Sequence, residues 1–229
     1  MRENGISYEL QRCYRASQWL TSIGNGVMIR TGDKPNIYGA LWSLNKQLGK
    51  HFYVGALSVM ELMGYAHYVP MGRPCLVVCS PQGEWFPAWL DKIDWGIDVV
   101  KISSGYFASE VGMSTITAES FEVPAASLER AFMECLTLAP QHYGLMDTYY
   151  VMENLTSLRP AVVQELLEKS TSVKMKRLFL YMAEKANHAW LKHLDVSKIS
   201  LGSGKRAIVK SGIYNQKYQI VIPEELTAI

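Results

Sequence analysis

The spacing of apolar positions changes period several times along the chain, and each change marks an element. From residue 7 to residue 20 (SYELQRCYRASQWL) Leu10, Tyr14 and Trp19 recur near one helical face. Ser7 is a suitable N-cap, while Arg12, Arg15 and Gln18 fall toward the other side. LTSIGNGVMIRTG follows, with apolar arms on either side of Gly24-Asn25-Gly26; these supply the positive φ of a tight hairpin turn, and the second arm ends at Arg30. Asp33-Lys34-Pro35 then breaks the pattern. A helix is predicted over 38–48, closed by Gly49, and a shorter one over 57–64 with Ser58 as cap. β-Branched runs predict strands at 51–54, 68–70, 75–80 and 97–103. The last two enclose an aromatic loop, EWFPAWLDKIDW, in which Trp85, Trp89 and Trp95 form either a ligand platform or part of the core.

Residues 114–124 read as strands ending before Pro124, and 125–139 as a helix with Glu129 in its early turn. Further helices are predicted over 144–155, over 161–170 after the Leu158-Arg159-Pro160 break, and over 176–193. The last is amphipathic: Leu178, Phe179, Met182, Ala183, Ala186 and Trp190 line one face, and Lys176, Glu184, Lys185 and Lys192 lie outside it. A polar turn region, 195–206, leads into strands at 206–210 and 218–222, and Pro223 is expected to end the fold. The fold class is therefore α+β: a helix and hairpin over residues 1–34, then a larger mixed α/β domain over 35–229.

Composition adds one asymmetry. Residues 174–217 hold ten Lys/Arg against two acids, a net +8, whereas the 229-residue chain is only +2 and the remainder carries −6. Localised basicity of this kind points to a polyanionic partner. No apolar run is long enough for a membrane span, and the N-terminus lacks the layout of a secretory signal, so a cytoplasmic protein is expected. The four cysteines (Cys13, Cys75, Cys79, Cys135) are scattered, and buried thiols are the default reading.

Signatures of catalysis and cofactor binding are missing. Gly202-Ser203-Gly204-Lys205-Arg206 resembles a piece of a phosphate loop, but Ile199 and Arg206 stand where the full motif needs Gly and Ser/Thr. Its backbone amides, beside Lys205 and Arg206, could still hold one phosphate of a nucleic acid. Cys75 and Cys79 lack a second ligand pair, His188 and His193 are five apart, and no nucleophile elbow occurs, so neither a metal, nor a cofactor, nor an enzymatic activity is expected. The helix with Arg and Gln on its free face, followed by a basic-tipped hairpin, has the layout of a recognition helix plus wing. On that reading Tyr8, Gln11, Arg12, Arg15 and Gln18 face the major groove, Arg30 lies near the wing phosphates, and Lys205, Arg206 and Lys210 add backbone contacts. The alternative is a basic interaction module that binds RNA or an acidic protein without reading sequence.

Several segments together resemble the AbiEi-type antitoxins of type IV toxin–antitoxin systems: the block from Val173 through IVIPEEL, GNGVMIRTGDKPNIYGALWSLNKQLG, HFYVGALSVMELMGYAHYVP and VPAASLERAFMECL. The resemblance implies a bacterial antitoxin whose N-terminal winged helix-turn-helix binds inverted repeats in its own promoter and represses the operon. It further implies a C-terminal domain that counters a nucleotidyltransferase-like toxin without a stable complex, in a system of phage resistance by abortive infection. Inverted repeats imply two copies on DNA, hence a monomer in solution or a weak dimer on the operator. Members of that family carry further residues ahead of the segment beginning here at Met1, so a truncated winged domain is expected.

Overall fold

The computed structural model describes residues 7–65 and 72–228. The strand predicted at 68–70 lies outside the described residues. Helix α1 (Tyr8–Ala16) starts where expected, with Ser7 Oγ accepting the Leu10 amide at 3.1 Å. It stops four residues short of the predicted end, because Gln18 adopts a left-handed φ of 58° and turns the chain into strand β1 (Leu20–Gly24). β1 pairs antiparallel with β2 (Val27–Arg30), and Asn25-Gly26 forms the turn, with Gly26 at φ 76°. Helix α2 (Ile37–Leu48) is capped by Asn36 Oδ1, which accepts the Tyr38 and Gly39 amides, and is closed by left-handed Gly49. Its Ile37, Leu41 and Leu44 enter the core.

The main sheet runs β5-β4-β3-β7-β6, from β3 (Tyr53–Val54), β4 (Cys75–Pro81), β5 (Asp98–Ser104), β6 (Met113–Ala118) and β7 (Phe121–Ala126). β4–β5 and β3–β7 are parallel, β3–β4 and β6–β7 antiparallel. β7 runs through Pro124 to Ala126 rather than ending before the proline. β3 meets it only at Val54–Ala125, so few of its amides are needed for that ladder. Helix α3 (Ala56–Leu62) is preceded by Gly55, and Ser58 is no cap. Its hydroxyl accepts the Val77 amide at 2.7 Å and ties α3 to β4.

Helices α4 (Leu128–Leu138), α5 (Leu145–Asn154), α6 (Pro160–Lys169) and α7 (Val173–Lys185) form the other half of the core. Phe132 of α4 meets Phe179 of α7 edge-on at 6.1 Å, and Phe179 lies 5.8 Å from Trp190. The predicted helix over 176–193 is two elements. α7 ends at Lys185, Asn187 turns left-handed at φ 52°, and a short 3₁₀ turn (Ala189–His193) brings Trp190 back onto the core. A second sheet, β8-β10-β9, is built from β8 (Arg206–Ala207), β9 (Ile213–Asn215) and β10 (Ile220–Ile222). The connection expected at 211–217 thus contains a strand. Pro223 does not end the fold either: α8 (Glu225–Ala228) follows, with Leu226 fully buried and its carbonyl accepting from the Tyr181 hydroxyl at 3.2 Å.

Two networks organise the interior. Arg130 on α4 donates to Glu134 (2.9 Å), to the Tyr53 hydroxyl (2.9 Å) and to the carbonyls of Ala108 and Val111. Glu134 also accepts the Ala56 amide at 3.0 Å, so every member of the buried group is hydrogen-bonded. Glu129, one turn earlier, accepts from the Arg159 side chain and amide. Burial disfavours the Glu129 carboxylate, but these hydrogen bonds outweigh it and hold its pKa down at about 2.

Candidate nucleic-acid interface

The residues expected to meet DNA fall into two groups on different elements. On α1, Tyr8, Arg12 and Arg15 are exposed, and their spacing of four and three residues places them along one stripe of the helix. Gln11 does not join them, because it is the one residue of α1 that is buried. Gln18 is not on the helix, since it occupies the left-handed turn beyond the C-cap, and its side chain does not continue the stripe. Leu10 and Tyr14 lie on the other side but stay 38% and 36% exposed, so α1 is only lightly covered. Arg30 is exposed at the end of β2, opposite Leu20.

The hairpin is fixed to the body through its turn. A Cβ on Gly24 would stand 2.9 Å from Trp89 Cβ, so glycine permits the close approach of backbone to indole. Trp89 and Trp95 sit 6.2 Å apart, and Trp95 Nε1 donates to the Leu90 carbonyl at 2.8 Å. With Met28, Trp42 and Phe121 they line a cleft of about 500 Å³ between hairpin and α2. Trp85 is outside this group and 85% exposed. The aromatic loop is therefore partly core and partly cleft wall.

The second group, Lys205, Arg206 and Lys210, is exposed just before, on and after β8. Lys205 Nζ lies 5.3 Å from the centre of the Tyr214 ring on β9, a neighbour that the sequence pattern did not single out. Two cations of the basic block are not surface at all. Lys176, expected to point away from the core, is 3% exposed, and its neighbour Arg177 is 2% exposed. Lys176 Nζ donates to the Ser200 carbonyl at 3.1 Å, and Lys174 Nζ reaches the Ala139 carbonyl at 2.5 Å. Burial pushes both ammonium groups below the usual lysine range. Lys217 is paired with Glu184, and Lys198 with Asp195. Lys176 and Arg177 are held by backbone carbonyls of residues 200–204, a relation that charge counting cannot reveal.

Cys79 and Cys135 are buried as expected, but Cys13 and Cys75 are exposed. Among the described residues no group of three or more His, Cys, Asp or Glu side chains could hold a metal ion. Nor is any described helix long and apolar enough to cross a membrane.

A basic helix and hairpin carried on a larger α/β body is the layout of a regulator built on a helix-turn-helix-like N-terminal region. The comparisons with known proteins agree. Residues 1–71 match the model of the AbiEi antitoxin N-terminal domain of transcriptional regulators, and residues 73–223 match the model for the transcriptional regulator, AbiEi antitoxin, of type IV toxin–antitoxin systems. The chain belongs to the AbiEi antitoxin family. Its fold is similar to the crystal structure of the RV2827C protein from Mycobacterium tuberculosis, with a TM-score of 0.59 and 18% identity, covering 93% of this chain and 78% of that one. No curated protein matches the chain.

Proposed function

We propose that this protein is the antitoxin and DNA-binding autorepressor of a type IV toxin–antitoxin operon. α1 enters the major groove of inverted repeats in its own promoter, offering Tyr8, Arg12 and Arg15 to base edges, and Arg30 contacts phosphates beside the groove. The observation that carries this reading is the exposed stripe Tyr8–Arg12–Arg15 on a helix that is followed at once by a hairpin ending in Arg30. Lys205, Arg206 and Lys210 supply sequence-independent contacts. Gln11, which is buried, and Gln18, which lies beyond the helix, are not among the base readers. The toxin it counters is nucleotidyltransferase-like, and the antitoxin acts on it without catalysis and without a stable complex, in the cytoplasm.

The test is binding to the operon's upstream region against random duplex of equal length. Arg12→Ala with Arg15→Ala should reduce operator affinity by about 1–3 kcal/mol per lost base contact and leave random-duplex affinity closer to wild type. Equal loss on both duplexes would make the two arginines phosphate contacts. No loss on either would remove α1 from the interface.

A further inference from the structure

The segment 199–205, just before β8, is built around one buried guanidinium, that of Arg177. Arg177 Nε donates to the Leu201 carbonyl at 2.8 Å, Nη2 to Gly202 at 3.1 Å, and Nη1 to Gly204 at 2.7 Å and Gln219 at 3.1 Å. In a trans peptide the carbonyl of one residue and the N–H of the next point in opposite directions. Three carbonyls turned inward to Arg177 therefore turn the amides of Gly202, Ser203 and Lys205 outward. These residues are exposed, and none of the three amides has a hydrogen-bond partner among the described residues. Gly202 (φ 62°) and Gly204 (φ 75°) hold the backbone this takes, and a Cβ on Gly202 would come within 3.0 Å of Val173.

Charge on this side is uncompensated. Lys176 and Arg177, whose side chains end in this segment, have no carboxylate partner among the described residues, because each donates to backbone carbonyls instead. Lys205 and Arg206 add two exposed cations, and Tyr214, 45% exposed, stands beside Lys205. Outward amides flanked by cations and backed by a buried positive charge form a seat for an anion with several acceptor oxygens.

From this geometry we infer that the turn from Gly202 to Arg206 is a preformed seat for one backbone phosphate of duplex DNA, with Arg177 as the positioning residue that turns its amides outward. The inference rests on the DNA-binding reading above and locates one contact of that interface. It needs no operator sequence, since a phosphate carries none. Arg177 is irreplaceable by Lys here, because an ammonium lacks the planar fork that spans four carbonyls.

The experiment follows the amide resonances of Gly202, Ser203 and Lys205 in isotope-labelled full chain at constant ionic strength. One titration uses inorganic phosphate against chloride, and a second uses a short random-sequence duplex. Saturable shifts of all three amides in both titrations are expected, and in Lys205→Ala with Arg206→Ala the midpoint for the duplex should rise about tenfold or more. Arg177→Lys should keep the rest of the spectrum and both exposed cations yet lose the response of the three amides. Shifts with phosphate and none with duplex would overturn the assignment to DNA, and no shifts in either would overturn the seat. A wild-type response in Arg177→Lys would overturn the positioning role. If Arg177→Lys fails to fold, the wild-type titrations still decide. Because the duplex is random, failure of operator discrimination by α1 leaves this outcome untouched.

Discussion

Glu129 and Arg159 show how one residue pair sets a pH limit on the fold. The carboxylate would take up its proton near 4.5 in the unfolded chain and does so near 2 in the folded one. A depressed carboxylate stabilises the fold fully above about 4.5, and that contribution is lost as the pH falls toward 2. The Glu129 side chain is 3% exposed but that of Arg159 is 64% exposed, so solvent screening trims the effect to about 1–2 kcal/mol. Arg159→Met should lose that much stability at neutral pH, and its denaturation midpoint should converge on wild type as acid is added. A gap that stays constant into acid would show that another group sets the limit. The pair was only half legible. Glu129 lies in the early turn of a predicted helix, and the break at Arg159-Pro160 is plain, but nothing local places the two within hydrogen-bonding reach across thirty residues.

At the scale of elements, the hairpin β1–β2 depends on Gly24 for its seat against Trp89. Gly24→Ala should force the turn away from the indole at a cost of about 1–3 kcal/mol. Hydrogen exchange would then quicken across the hairpin amides and stay slow in the β6–β7 ladder. Unchanged protection in the hairpin would mean that Trp89 yields instead. Element bounds were legible where a cap is local: Ser7 and Gly49 lie next to what they terminate. Other element ends were less so. α1 and α7 are each followed, two residues past their ends, by a residue in the left-handed region, Gln18 and Asn187, and neither residue type demands that conformation. Local hydrogen bonds close both ends: the Trp19 and Gln18 amides donate to the Tyr14 and Arg15 carbonyls, and the His188 and Asn187 amides to those of Ala183 and Glu184.

For the whole molecule, the sum of its exposed cations governs how binding responds to salt. Affinity for DNA should fall steeply as salt rises, and Lys205→Glu with Arg206→Glu should flatten the slope by roughly one to two units if both touch phosphate. An unchanged slope would take the C-terminal sheet out of the interface. The effective surface charge is smaller than the +8 of residues 174–217, because Lys176 and Arg177 are interior. The sequence by itself determined the α+β class, the helix-hairpin order at the N-terminus, most helix starts and the family resemblance. These depend on periodicity, caps and turn residues that act over a few positions. Only the tertiary structure decided which cations face solvent. Lys176 and Arg177 look like any other basic residues in the chain, and what buries them is a set of carbonyls contributed by residues 200–204 and Gln219. A charge can be interior when such distant acceptors converge on it, and convergence belongs to the fold.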